Sequence, residues 1–136
     1  MSFGPRIPNQ PGHRQTGDWL LAEPRARADT VIVQEIRHVT HTGDTLRLRN
    51  FFARFRPQAT ERVLFLAHWD TRPMADHSMN VAQQRLPVPG ANDGASGVAV
   101  LLGSPMRSKQ RPRPTASTCS LWTVRTTATL PTRTTC

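Results

Sequence analysis

The feature that most limits how this chain can fold is a short apolar run, Val63-Leu64-Phe65-Leu66-Ala67, which leads straight into His68-Trp69-Asp70. Its length and composition are those of a strand buried on both faces. A loop follows, then Gly90-Ala91-Asn92-Asp93-Gly94-Ala95-Ser96-Gly97, then a second apolar run from Val98 to Leu102. Two polar clusters, each beside a buried element, are a common way to build a site at the edge of a sheet.

Upstream, residues 1–12 are rich in Pro and Gly and read as an extended lead-in. His13 to Arg27 is the best early helix, with Trp19, Leu20 and Ala22 on or near one face, and Pro24 ends or kinks it. Thr30 to Val39 alternates as a strand, with a slip near Glu35. His41-Thr42-Gly43-Asp44 is turn chemistry, and Leu46 to Phe55 forms a second strand, so the two make a hairpin. Pro57 to Glu61 is a loop before the apolar strand. Ser96 to Leu102 begins a helix capped by Asp93 or Ser96.

Composition changes at Gly103. Up to that point there are 12 basic and 9 acidic residues; beyond it there are 6 basic residues and no acidic ones. The formal charge of +9 is therefore mainly a property of the last stretch, which is rich in Thr, Arg and Pro. Such a composition buries too little apolar surface to offset its ordering entropy, so residues 104–136 are expected to be unstructured. The arginines there lack the interleaved aromatics of a single-strand binder and any reading helix, which argues against nucleic acid as the partner, and a small basic nucleic-acid-binding protein stays as the competing reading from another class. Cys119 and Cys136 support neither a zinc ribbon nor a disulfide scaffold. No apolar run approaches the roughly 18 residues that span a bilayer, and the first residues lack the apolar core of a secretion signal.

His68 and Asp70 are two apart, so on an extended strand their side chains share a face. Imidazole and carboxylate both ligate zinc, and a carboxylate also orients a ligating imidazole from behind. Asp93 sits between Asn92 and Gly94, whose small size lets backbone and carboxylate approach an ion. On spacing alone the alternatives stay open, because His-x-Asp is common and Asn-Asp-Gly is as readily a turn. Trp69 is a candidate wall of a substrate pocket or an interior residue. Arg72 and Asp76 read as loop scaffolding, and His38, His41 and His77 as solvated.

The wider wording narrows this. Ala67-His68-Trp69-Asp70-Thr71-Arg72-Pro73, Ala75-Asp76 and Pro89 to Leu102 resemble the zinc aminopeptidase and glutaminyl cyclase family. His68 to Pro73 resembles most its bacterial glutaminyl-peptide cyclotransferase-like branch. Phe3-Gly4-Pro5-Arg6 and Pro11-Gly12-His13 also resemble the start of that catalytic domain, so the likeness covers about residues 3–103. It implies an α/β fold, a mixed sheet flanked by helices, with one or two zinc ions at the carboxyl edge of the strands. It implies Asp93 as metal ligand, His68 as the histidine on the second zinc of the aminopeptidases, and Asp70 as the carboxylate behind it. The implied substrates are peptide N-termini, with cyclisation of N-terminal glutamine first and aminopeptidase hydrolysis second. Members of the family are usually exported.

The chain departs from the family's pattern after Asp93. The family needs an acidic pair on the next strand and a later histidine, yet no Asp or Glu follows Asp93 and no His follows His77. Zinc wants about four ligands, so the implied domain is incomplete and inactive as written. A one-base shift of the reading frame near Gly103 accounts for this. Trp122 has a single codon, TGG, and its last base followed by the AC of Thr123 encodes Asp. The next codons permit the acidic strand that the family requires.

Overall fold

A computed structural model of the protein describes residues 3–103 and, by backbone alone, 116–122. Its elements are α1 (Pro11–Arg25), β1 (Thr30–Val39), β2 (Thr45–Arg54), β3 (Arg62–His68), α2 (Ala95–Gly103) and β4 (Ala116–Trp122). A single 3-10 turn, Val81–Gln83, lies in the long loop before α2. Among the described residues, no helix is long and apolar enough to cross a membrane.

β1 and β2 form the expected hairpin, closed by Thr40 to Asp44, where the amide of Thr40 donates to the carbonyl of Asp44 at 2.8 Å. The register runs unbroken from Thr30↔Arg54 to Val39↔Thr45, so the slip expected near Glu35 is absent. The burial pattern of β1 nevertheless changes phase there: Val31 and Val33 are half-buried, then Ile36 on the other face. α1 passes through Pro24 and ends at Arg25. A proline this close to the C-terminus costs little, because only one internal hydrogen bond is lost.

The sheet has the order β1-β2-β4-β3, with β4 antiparallel to β2 and parallel to β3. It is therefore mixed, as the resemblance implies. Ala116–Trp122 lies inside the stretch that composition marks as unstructured, and here the structure differs from expectation. Its seven residues occupy the slot between β2 and β3, where the facing N–H and C=O groups of both strands would otherwise lack partners. Residues 104–115 and 123–136 lie outside the described residues, and with them the rest of that expectation.

One core joins the layers. Leu20 of α1, Phe51 of β2, Trp69 just beyond β3, and Val98 and Leu101 of α2 are all buried together. Trp19 and Ala22, placed near the apolar face of α1 by pattern, are exposed instead. The apolar run of β3 is a larger departure: Val63, Leu64, Phe65 and Leu66 are each 44–56% exposed, not buried on both faces. β3 stands last in the strand order, paired on one side only, and α2 is the described helix that packs on it. Its composition is that of a central strand in an edge position.

Behind the sheet end, the His13 ring stacks on Trp69, with centroids 4.1 Å apart and planes at 18°. His13 is 2% exposed. Burial first, and the nearby Arg49 charge second, push its pKa down from 6.5 to about 4. The folded state thus binds this proton less tightly than the unfolded state. The stability that depends on His13 being neutral is complete above the unfolded value of 6.5 and is lost as pH falls towards 4. The loss amounts to on the order of 3 kcal/mol. Urea unfolding of the parent and of His13→Phe, compared across that pH range, should show the parent losing more stability than the variant. Parallel curves would show that His13 does not titrate with unfolding.

Candidate metal centre

β3 delivers His68 to the sheet edge, and the chain leaves through Trp69 and Asp70. Trp69 is fully buried, against His13 on one side and Phe51 at 5.7 Å on another, and its indole N–H donates to the carbonyl of Arg49 at 3.1 Å. With no surface exposed, it belongs to the core cluster with Leu20 and Phe51. That burial fixes the backbone on which its two neighbours sit.

His68 and Asp70 do share a face. Nδ1 of His68 lies 3.2 Å from Oδ1 of Asp70, whose side chain is 1% exposed. On the opposite side of the ring, Nε2 lies 2.9 Å from Oδ1 of Asp93. Asp93 arrives from the turn before α2, and the residue after it explains how the turn comes so close. Gly94 has φ +101°, and a Cβ there would press on the His68 ring at 3.0 Å and on the Asp70 carbonyl at 3.2 Å. A side chain at this position would hold Asp93 away from His68. At the start of α2, Ser96 Oγ donates to the carbonyl of Asn92 at 2.5 Å, and Asp93 Oδ1 faces His68.

Both nitrogens of one imidazole therefore face carboxylate oxygens. A neutral ring carries one N–H and can donate to only one of them. At the other nitrogen a lone pair faces a carboxylate, an arrangement that a metal ion between Nε2 and Asp93 would make favourable. With Nδ1–H held by the buried Asp70, Nε2 and Asp93 are the pair left to share that cation. Two donors on a tetrahedral zinc stand about 3.3 Å apart, so the pair fits zinc in kind and nearly in spacing. It supplies two of roughly four ligands. Among the described residues, no group of three or more His, Cys, Asp or Glu is placed to hold a metal.

Sequence reasoning missed Arg6. It is 5% exposed. Its Nε donates to the carbonyl of Trp69 at 2.5 Å, its Nη2 to Gly90 at 2.7 Å and its Nη1 to Pro89 at 3.5 Å. Its own carbonyl accepts from the amide of Thr71 at 3.1 Å. The lead-in thus ties together the two segments that carry Asp70 and Asp93. Burial lowers the pKa of the guanidinium from its usual value, while the charges of Asp70 and Asp93 act against that shift. Among single-sequence signals, only the Phe3-Gly4-Pro5-Arg6 wording hinted at it. Of the weaker candidates, Arg72 and Asp76 pair with each other at 2.6 Å, and His38, His41 and His77 are exposed.

The model for Peptidase family M28 matches residues 50–121. No curated protein matches the chain. Porphyromonas gingivalis glutaminyl cyclase is 40% identical, with a TM-score of 0.82 over 90% of this chain and 43% of that one. A leucine aminopeptidase precursor from Bacteroides thetaiotaomicron is 33% identical, with a TM-score of 0.83 over 88% of this chain and 41% of that one. A Zn-dependent exopeptidase from Parabacteroides distasonis is 33% identical, with a TM-score of 0.84 over 98% of this chain and 47% of that one. The chain thus spans less than half the length of each of these three structures. Its fold from the lead-in to the edge of the mixed sheet is theirs, and more than half of its residues fall inside the family match: the chain belongs to peptidase family M28.

Proposed function

We propose that this chain carries part of the zinc-binding edge of a glutaminyl-peptide cyclotransferase-type domain, with His68 and Asp93 as metal ligands and Asp70 orienting His68. The observation that carries this reading is the single imidazole held between two carboxylates, at 3.2 Å on one nitrogen and 2.9 Å on the other. A zinc ion held there would polarise the carbonyl of a substrate amide. Asp70 keeps Nδ1 protonated and turns Nε2 towards Asp93. Arg6 holds the Trp69 and Gly90 carbonyls, and through them the loops that carry both carboxylates.

In cyclisation the α-amine of an N-terminal glutamine attacks its own γ-carboxamide and ammonia leaves. A proton must pass from the amine to the departing nitrogen, which needs a carboxylate beside the reacting atoms. Asp70 and Asp93 are both turned to His68, and positions 94–136 contain no Asp, Glu or His. The proton shuttle is missing, so the chain by itself is expected to be inactive. The cyclase reading is favoured by the His68-to-Pro73 wording and by the likeness to the P. gingivalis enzyme. Aminopeptidase hydrolysis is the second reading, favoured by the likeness to the leucine aminopeptidase precursor.

The parallel register of β3 and β4 supports the frame-shift reading, which stays a proposal. Trp122 stands opposite His68. The aspartate encoded one base away, across Trp122 and Thr123, would leave β4 at the same sheet edge as His68. Sequencing the locus should reveal a family-like open frame there; a closed frame would remove the idea.

Two measurements test the functional reading. In a zinc competition assay on the full chain, Asp70→Asn should weaken binding by about tenfold, and Asp93→Asn by more. Equal affinity in all three proteins would remove the assigned roles. With a Gln-initiated peptide and zinc, the chain as it stands should release no ammonia. A version restored to the alternative frame should release ammonia without cleaving the peptide. Release of the first residue instead would establish the aminopeptidase reading.

A further inference from the structure

The face of the β1–β2 hairpin turned towards α1 is apolar at one end and charged at the other. Val33 and Phe51 pack into the core, while the next positions on that face pair Glu35 with Arg49 and Arg37 with Arg47. Arg37 and Arg47 thus stand directly opposite each other, which is unfavourable for like charges. Arg14 lies in the first turn of α1, at the positive end of the helix dipole, where an anion and not a cation is favoured. That turn has no acidic residue, and Gln10 makes no side-chain cap.

These three arginines line one open cavity of about 770 Å³. Two acids line it as well, and one of them is held by Arg49. Asp18 accepts from Arg49 at 2.7 Å, and Glu35 is the register partner of Arg49. Among the described residues, Arg14, Arg37 and Arg47 have no ion-pair partner. Two arrangements that cost free energy alone would each become favourable around a single anion: the opposed arginines and the cation at the helix start.

We propose that this cavity binds a multivalent oxyanion, a phosphate or sulfate group, held by Arg14, Arg37 and Arg47. Guanidinium groups match the tetrahedral oxyanion through paired N–H donors, and its double charge offsets the repulsion better than a halide does. The site shares no residue with His68, Asp70 and Asp93, so it stands whether or not the metal centre does. His13 lines the same cavity beside Arg49 and serves as a reporter.

The test follows the His13 ring resonances of the full chain by NMR at neutral pH. Phosphate, sulfate and a phosphate monoester are titrated separately against chloride at equal ionic strength. Phosphate or sulfate should shift these resonances saturably and raise the thermal midpoint, while chloride does neither. In Arg37→Gln/Arg47→Gln the saturation point should move up by about tenfold or more. The double variant should also be at least as stable as the parent in chloride, because the opposed charges are gone. Tighter binding of the monoester would identify a phosphorylated molecule as the ligand, and tighter binding of phosphate the free ion. Absence of a saturable shift with either oxyanion, or unchanged affinity in the double variant, would overturn the site.

Discussion

One imidazole with an acid on each side is the constraint around which the rest of this structure is arranged. To hold His68 between Asp70 and Asp93, the chain must end a strand, bury a tryptophan, and return a turn from more than twenty residues later to within hydrogen-bond distance. Each requirement has a visible solution. Trp69 anchors the strand exit in the core. Gly94 removes the one Cβ that would hold the turn away. Arg6 reaches from the lead-in to the carbonyls on both sides. The Arg6 guanidinium brings positive charge to both carboxylates.

Much of this was legible in the sequence because it is local. The hairpin followed from alternation and a Thr-Gly-Asp turn. The shared face of His68 and Asp70 followed from strand periodicity alone. The approach of Asp93 to His68 did not follow from spacing, since no local rule brings a turn back to a strand end; only the family-like wording suggested it. Arg6 and His13 were illegible for a related reason. A buried arginine is paired by carbonyls far along the chain, and a histidine beneath a tryptophan looks like any other helix residue until the fold places Trp69 over it.

The two departures at the sheet share a cause. The run Val63 to Leu66 has the composition of a central strand, and periodicity has no means of knowing how many neighbours a strand will find. β3 sits at the edge with its apolar side chains half exposed, while Ala116–Trp122, from a stretch rich in Thr, Arg and Pro, fills the slot beside it. Backbone pairing, which asks little of side-chain identity, won over composition there. The same slot is where the proposed alternative frame would place its acidic strand.

In the proposed centre, Nε2 of His68 and the Asp93 carboxylate share a cation. Long-range proton–nitrogen correlation spectra of the full chain, recorded with and without one equivalent of zinc, address it most directly. Zinc should displace the Nε2 resonance of His68, leave Nδ1 protonated, and lose this effect in Asp93→Asn. A His68 ring that zinc leaves unchanged, or one that responds equally in the variant, would contradict it.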